Sequence, residues 1–278
     1  MTDPQMLARD FAKDGFVGPL RAISEADAAL AAEELRAELR DDNYSAHARR
    51  NRHFDLPSVR KAATAEALIE TVRAVYSGQL LLWRSHVFTG RPGRGLGWHS
   101  DRFTTLLADS EDHLTAHLAL TDAPADNCMK VIPGSHLWSE EKRQTAGFHL
   151  IEKTAGTGYG TPYYQRMSGA AAPQAIPLAP GEFFLFHPAT LHASVDRLGD
   201  NSNRNPFVSF AKRTAKSVVS RFEGKGLIAD PPRLAIGLRF CDPRNTIARE
   251  AFDEMSGRGT SPAMVAGSTC PDFALDWR

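Results

Sequence analysis

The chain has 278 residues, and its 33 Lys and Arg balance 33 Asp and Glu, so no bulk electrostatic attraction to nucleic acid or membrane lipid is expected. This length can bury a sizeable core unaided, and three scattered cysteines (Cys128, Cys241, Cys270) make neither a disulfide framework nor a cysteine zinc site. The opening MTDPQMLARDFAKDGF lacks the apolar core of a signal peptide and no apolar run nears the ~20 residues that span a bilayer, so a reducing, cytoplasmic location is expected.

Two helices are expected first. ISEADAALAAEELRAELRDD carries Ser24 and Asp27 in capping spacing and strong helix formers throughout. LPSVRKAATAEALIETVRAVYSG opens near Pro57 and stops at Gly78. The pattern then changes to short apolar or aromatic runs: QLLLWRSHVFTG, LTAHLALTD, AIPLAPGEFFLFHP and RLAIGLRFCDP. Pro, Gly, Asn and Asp punctuate them, and no helices of crossover length alternate with them. A mostly β (α+β) chain is expected, with an antiparallel sandwich or barrel behind a helical N-terminal layer. With no repeat, linker or low-complexity tract, one domain over 1–278 is expected: helices to about 78, a β core over about 79–245, and a tail from 246.

GLGWHSDRF places His99 and Asp101 two residues apart, and on a strand residues i and i+2 project to the same face. The pair alone is weak evidence, because H-x-D arises by chance. A third metal donor must come from elsewhere, and APGEFFLFHPATLHAS offers His187 and His192. His192 stands beside small Ala193 and Ser194, which leave room for a bulky neighbour. Two imidazoles and one carboxylate on one face of an octahedral ion leave three adjacent positions open, the arrangement typical of non-haem Fe(II). In PPRLAIGLRFCDP, read as a strand, Arg233, Ala235, Gly237 and Arg239 share one face and Leu234, Ile236, Leu238 and Phe240 the other. A cationic face with space in front suits a dicarboxylate such as 2-oxoglutarate, which a guanidinium fork grips in bidentate fashion.

In its order of motifs, WHSD, then DNCMKVIPGSH, then GEFFLFHPATLHAS, then R-x5-R, the chain resembles the phytanoyl-CoA dioxygenase family of Fe(II)/2-oxoglutarate oxygenases. The likeness runs from about DGFVGP to RFCDP. It implies a double-stranded β-helix (jelly roll) core, with His99, Asp101 and His192 as iron ligands. Arg233 would meet the distal carboxylate of 2-oxoglutarate, Arg239 would lie further inside the barrel mouth, and His117 would line the co-substrate pocket. His117 as a satisfied core histidine and Arg239 as a buried ion-pair partner remain open. The implied reaction uses Fe(II), 2-oxoglutarate and O2 to hydroxylate an aliphatic C–H bond of a small polar metabolite, an amino acid or natural-product intermediate, releasing succinate and CO2. An anionic acyl thioester or nucleotide-like substrate, or a non-oxidative cupin-type isomerase, are the alternatives. Asp101 argues against halogenation, in which a small residue replaces that carboxylate.

The chain also departs from the family. Cys128 stands where the family has glycine, and Ser100 where glutamine is commoner. His192 and Arg233 lie 41 residues apart (233 − 192), far more than in simple relatives, and Arg204 is a lesser candidate for the co-substrate arginine. The extra length, about 203–231, spaces Phe207, Ala211, Ala215, Val218, Val219 and Phe222 as one helical face, with Lys212, Arg213, Lys216 and Arg221 on others. This is either a lid whose Lys212 and Lys216 contact an anionic part of the substrate or a solvated face. His86, His113, His136, His149 and His187 are expected to be structural or superficial, and Arg84, Arg91, Arg94 and Arg102 carry no expected role.

Overall fold

A computed structural model describes residues 3–39, 49–76, 80–90, 95–151, 160–196, 233–242 and 244–245. The chain opens with a helix that the sequence patterns did not flag, α1 (Pro4–Asp14). The Asp3 carboxylate accepts the Gln5 N–H at 2.9 Å, and Gly15 ends the helix in the left-handed region at φ 76°. It buries Leu7 and Phe11, four apart on one face. In α2 (Glu25–Leu39) the Asp27 N–H donates to the Ser24 hydroxyl at 3.1 Å, as the capping spacing predicts.

The second expected helix is in fact two, α3 (Pro57–Ala63) and α4 (Glu66–Val75). The break falls at Thr64. Its hydroxyl donates to the Arg60 carbonyl at 2.9 Å, and its backbone leaves helical geometry at φ −108°, ψ 12°. Ala65 then turns extended at φ −55°, ψ 130°, and a new helix begins.

These helices cover one face of a five-stranded antiparallel sheet built from β1 (Phe16–Arg21), β2 (Leu81–Gly90), β3 (His113–Ala119), β8 (Glu182–Phe186) and β10 (Arg233–Cys241), in the order β1-β8-β3-β10-β2. Ala31, Leu35, Val59, Leu68 and Val72 of the helices pack there on Leu118, Leu185, Ile236 and Leu238. The opposing sheet orders β7 (Gln174–Ile176), β4 (Met129–Val131) and β9 (His192–Ala193), and β5 (Phe148–Ile151) pairs with β6 (Tyr163–Arg166). A short helix, α5 (Glu140–Thr145), precedes β5. His99 bridges both His192 and Tyr163, so the extended segment around it stitches β9 to β6 and completes the second sheet. Chain segments alternate between the two sheets, which makes the jelly roll.

β10 fixes the interior. All nine of its residues are buried, because helices cover one face and the opposing sheet the other. Leu234, Ile236, Leu238 and Phe240 join the helical core, and the alternation sends Arg233, Ala235, Gly237 and Arg239 into the barrel. Cys128 and Cys241 are free and buried. Among the described residues no helix is long and apolar enough to cross a membrane.

His53 lies behind β2, fully buried, with Nδ1 2.6 Å from the Ser85 hydroxyl. Burial, and then the charge of Arg60, pushes its pKa from 6.5 to about 3. The unfolded chain therefore takes up a proton near the ordinary histidine value that the folded chain refuses until about pH 3. Stability should be complete above that ordinary value and fall on acidification by about 1.4 kcal/mol per pH unit for each such group. Urea titrations across this window should show the fall, and His53→Gln should flatten it by about one proton. An unchanged slope in the variant would contradict this account.

Candidate active site

His99 and His192 lie directly opposite each other. The His99 N–H donates to the His192 carbonyl and the His192 N–H to the His99 carbonyl, both at 3.0 Å. This reciprocal pair points both side chains to one face of the second sheet. Each ring is then oriented by a backbone carbonyl: His99 Nδ1 donates to Gly97 at 2.8 Å and His192 Nδ1 to Thr190 at 3.0 Å. A carbonyl can only accept, so the proton sits on Nδ1 and the Nε2 lone pair of each ring is left facing the barrel.

Asp101 closes the group. Its Oδ1 lies 3.8 Å from His99 Nε2 and 3.7 Å from His192 Nε2, and the donor atoms of all three residues fall within 4.8 Å of one another. Its other oxygen is occupied, accepting from Arg239 Nη2 at 3.1 Å and the Thr115 hydroxyl at 3.3 Å. Burial alone would raise the Asp101 pKa, but the charge of Arg239 outweighs it and holds the carboxyl ionised. Burial keeps His99 neutral, its pKa lowered to about 3, and lowers that of His192 as well. Two neutral imidazoles with free Nε2 atoms and an ionised carboxylate with one free oxygen form a donor set that could hold Fe(II).

The ring of Tyr163 stacks on His99 with centroids 5.3 Å apart, and Phe186 lies against His192 at 4.6 Å. Asp196, which the sequence reading passed over, clamps the same region. It accepts from the Trp98 indole at 2.9 Å and from Arg166 at 2.8 Å, tying the segment before His99 to the one after His192. His187, the other histidine of that motif, packs on Phe11 and His136 outside the triad.

The register of the five-stranded sheet lays the interior out in rows. Arg233 stands opposite Gly90; Gly237 stands between His86 and His117; Arg239 stands between Arg84 and Thr115. Gly90 makes room for Arg233, because a Cβ there would sit 2.8 Å from its Nε. One Arg233 amino group donates to the Asn127 carbonyl, and its buried Nε has no hydrogen-bond partner among the described residues. His117 is buried between Phe88 and Phe184; burial, and then the charge of Arg233, lowers its pKa to about 3. Arg239 meets Asp101, the ion-pair reading the sequence left open, while its Nε and Nη1 remain without partners among the described residues.

Arg84, which carries no expected role, is buried, and it and the half-buried His86 face the barrel interior. The signal was present in LLWRSHVFTG, where an Arg and a His two apart share one face of an apolar strand. Lys212, Lys216, Arg204, Arg91 and Arg94 lie outside the described residues.

Comparison with known proteins follows from this geometry. The fold is similar to that of the epimerase SnoN in complex with Fe3+, alpha ketoglutarate and nogalamycin RO, with TM-score 0.64, 17% identity and coverage of 97% of this chain and 96% of that one. It is similar to the non-heme monooxygenase ThoJ in a nickel complex, with TM-score 0.58, 20% identity and 98% and 93% coverage. EctD from S. alaskensis in its apoform matches at TM-score 0.56, with 16% identity and 97% and 86% coverage. At these identities the likeness shows the fold. No curated protein matches the sequence. The family model for phytanoyl-CoA dioxygenase matches residues 13–204, which include the triad and stop short of β10. With that match spanning most of its length, the chain belongs to the phytanoyl-CoA dioxygenase (PhyH) family.

Proposed function

We propose that the protein is an Fe(II)/2-oxoglutarate-dependent dioxygenase that hydroxylates an aliphatic C–H bond of a small polar metabolite, such as an amino acid or natural-product intermediate. The carrying observation is the convergence of His99, Asp101 and His192, whose free donor atoms lie within 4.8 Å of one another in the interior of a PhyH-family barrel. Bound Fe(II), with 2-oxoglutarate and O2, supplies the oxidising chemistry, and succinate and CO2 leave as co-products.

The chain's own residues provide geometry and dryness. His99, Asp101 and His192 hold the ion, and the carbonyls of Gly97 and Thr190 keep both imidazoles in the ligating tautomer. Arg233, whose guanidinium lies in the space that Gly90 leaves, receives the distal carboxylate of 2-oxoglutarate. His117, uncharged and walled by Phe88 and Phe184, lines the same pocket without adding a competing cation. Arg239 acts from the side opposite the histidines: it holds Asp101 ionised, and its buried Nε and Nη1 have no partner among the described residues. Residues 1–278 act as one domain in a reducing cytoplasm, consistent with free Cys128 and Cys241.

An anionic acyl thioester or nucleotide-like substrate is the second reading, favoured by the basic stretch that contains Lys212 and Lys216. Epimerisation or ring closure would use the same site. A non-oxidative isomerase has no use for an inward arginine that grips a carboxylate.

Anaerobic addition of Fe(II) and 2-oxoglutarate should produce a weak visible charge-transfer band, and admitting air should release succinate slowly without added substrate. A protein that forms no band is not this enzyme. Gly90→Ala should weaken 2-oxoglutarate binding roughly tenfold by displacing the Arg233 guanidinium, with no loss of thermal stability. Arg233→Ala should weaken it further, while Arg244→Ala, on an exposed side chain paired with Asp242, should leave it unchanged. Reversing the charge of Lys212 and Lys216 should weaken an anionic substrate and reduce the salt dependence of its KM; an unaltered salt slope removes the lid role.

A further inference from the structure

The inner face of β3 carries three polar side chains, and the oxygenase reading uses two of them. Thr115 donates to Asp101 and His117 lines the co-substrate pocket, whereas His113, two positions before Thr115 on the same face, has no part in either. His113 stands opposite Cys241 of β10 and packs on Trp83 and Phe103, with ring centroids 6.3 Å and 5.5 Å away. Those two rings lie 6.0 Å from each other. Trp83 reaches this group through a bulge: Arg239 pairs with Arg84 and Phe240 with Leu82, so Trp83 is the residue left over, and it packs inward with Phe103 and Cys241. Phe103 follows Asp101 by two residues, and Arg239, which holds Asp101 through Nη2, has its guanidinium carbon 4.8 Å from the Phe103 centroid. The three rings therefore border the metal site. Trp83 at 0% and His113 at 2% exposure are as buried as Asp101 at 4%, yet the indole Nε1 and both imidazole nitrogens have no hydrogen-bond partner among the described residues. The Asp101 backbone lies near the His113 ring without forming such a bond. Buried polar atoms left alone cost stability, and phenylalanine rings would fill the same space without that cost.

We propose that Trp83 and His113 form a subsite beside Asp101 for an uncharged polar group of the primary substrate, a hydroxyl or a primary carboxamide; this rests on the oxygenase reading above. The indole can only donate, and a neutral imidazole donates from one nitrogen and accepts at the other. A group that accepts from Trp83 and donates to His113 satisfies both, which a hydroxyl or a carboxamide does and an ether or a ketone does not. Two hydrogen bonds of about 2.9 Å through one such group span roughly 6 Å. That is the scale of the 6.3 Å between the two rings. None of the three rings offers a charge to an ionised group, since burial keeps His113 neutral, and Asp101 and Arg239 already answer each other. The distal carboxylate of 2-oxoglutarate is assigned to Arg233. That residue precedes Cys241, the cross-strand neighbour of His113, by eight positions (241 − 233), roughly 26 Å along β10, so the subsite is separate from it.

The test follows the indole N–H signals of the full chain by heteronuclear NMR, with 2-oxoglutarate bound and Zn(II) as a diamagnetic substitute for Fe(II). The chain has four tryptophans, and sequential assignment, checked by the loss of one signal in Trp83→Phe, identifies the one that matters. 1-Butanol is compared with its isomer methyl propyl ether, and propanamide with butanone, which has the same shape without the donor. The alcohol or the amide should bind roughly fivefold or more tightly than its partner and move the Trp83 signal, and the pair that shows the preference names the group bound. The signal of Trp138, which packs on Phe148, should stay in place. His113→Phe should abolish the preference and His113→Gln should restore part of it, while the comparison in the unaltered protein needs no variant to fold. Equal affinity within both pairs, no binding by any of the four, or a Trp83 signal that does not move would overturn the proposal. So would a shift of that signal on adding 2-oxoglutarate alone, because the pocket would then belong to the co-substrate. A missing charge-transfer band in the Fe(II)-loaded protein counts against the oxygenase reading, and the four affinities are then still read from the indole signals. An intact band without a preference within either pair counts against the subsite alone.

Discussion

Two backbone hydrogen bonds between His99 and His192 organise everything else in the barrel. They make residues 93 positions apart (192 − 99) direct cross-strand neighbours, and they complete the second sheet by joining β9 to the segment that runs into Asp101. A metal site usually demands that flexible side chains surrender entropy to meet. Here the ladder does most of that work, because opposed residues on antiparallel strands have their Cβ atoms about 5 Å apart and on the same face. The carbonyls of Gly97 and Thr190 then leave each ring a single useful orientation. Support continues outward through Asp196, which holds Trp98 and Arg166 together behind the site.

The electrostatics of the interior follow from β10. A strand covered on both faces has no solvent into which its arginines could turn, so its alternation commits Arg233 and Arg239 to the cavity. Each is placed by what stands across from it. Gly90 leaves a gap that Arg233 fills, and Asp101, which also accepts from the Thr115 hydroxyl, receives Arg239. The same pairing brings Arg84 beside Arg239 and Arg50 beside His86. Histidines in this setting are pushed neutral by burial, so the cavity combines fixed cations with uncharged imidazoles.

Much of the fold was legible where one local rule dominated. The Ser24 cap marked α2, and the two faces of β10 could be read from its alternation, whereas β1 (Phe16–Arg21) falls inside the stretch read as helical. Other features failed for identifiable reasons. The split between α3 and α4 falls where the backbone of Thr64 and Ala65 leaves helical geometry, which no change of composition marks. Arg84 carries no expected role because arginines are usually exposed. Its burial depends on a neighbouring strand and an opposing sheet that no local pattern reports.

The division between sequence and structure is clearest at the site. Local spacing determined that His99 and Asp101 share a face, that an arginine-bearing strand comes late in the chain, and that the donor types suit iron. Tertiary structure decided that His192 joins them while His187 packs on Phe11, that Arg239 meets Asp101, and that Arg84 stands beside it. Side-chain alternation is a property of one strand and can be counted along it. Which residues meet across strands is set by register, and register is a relation between segments that no single stretch of the chain contains.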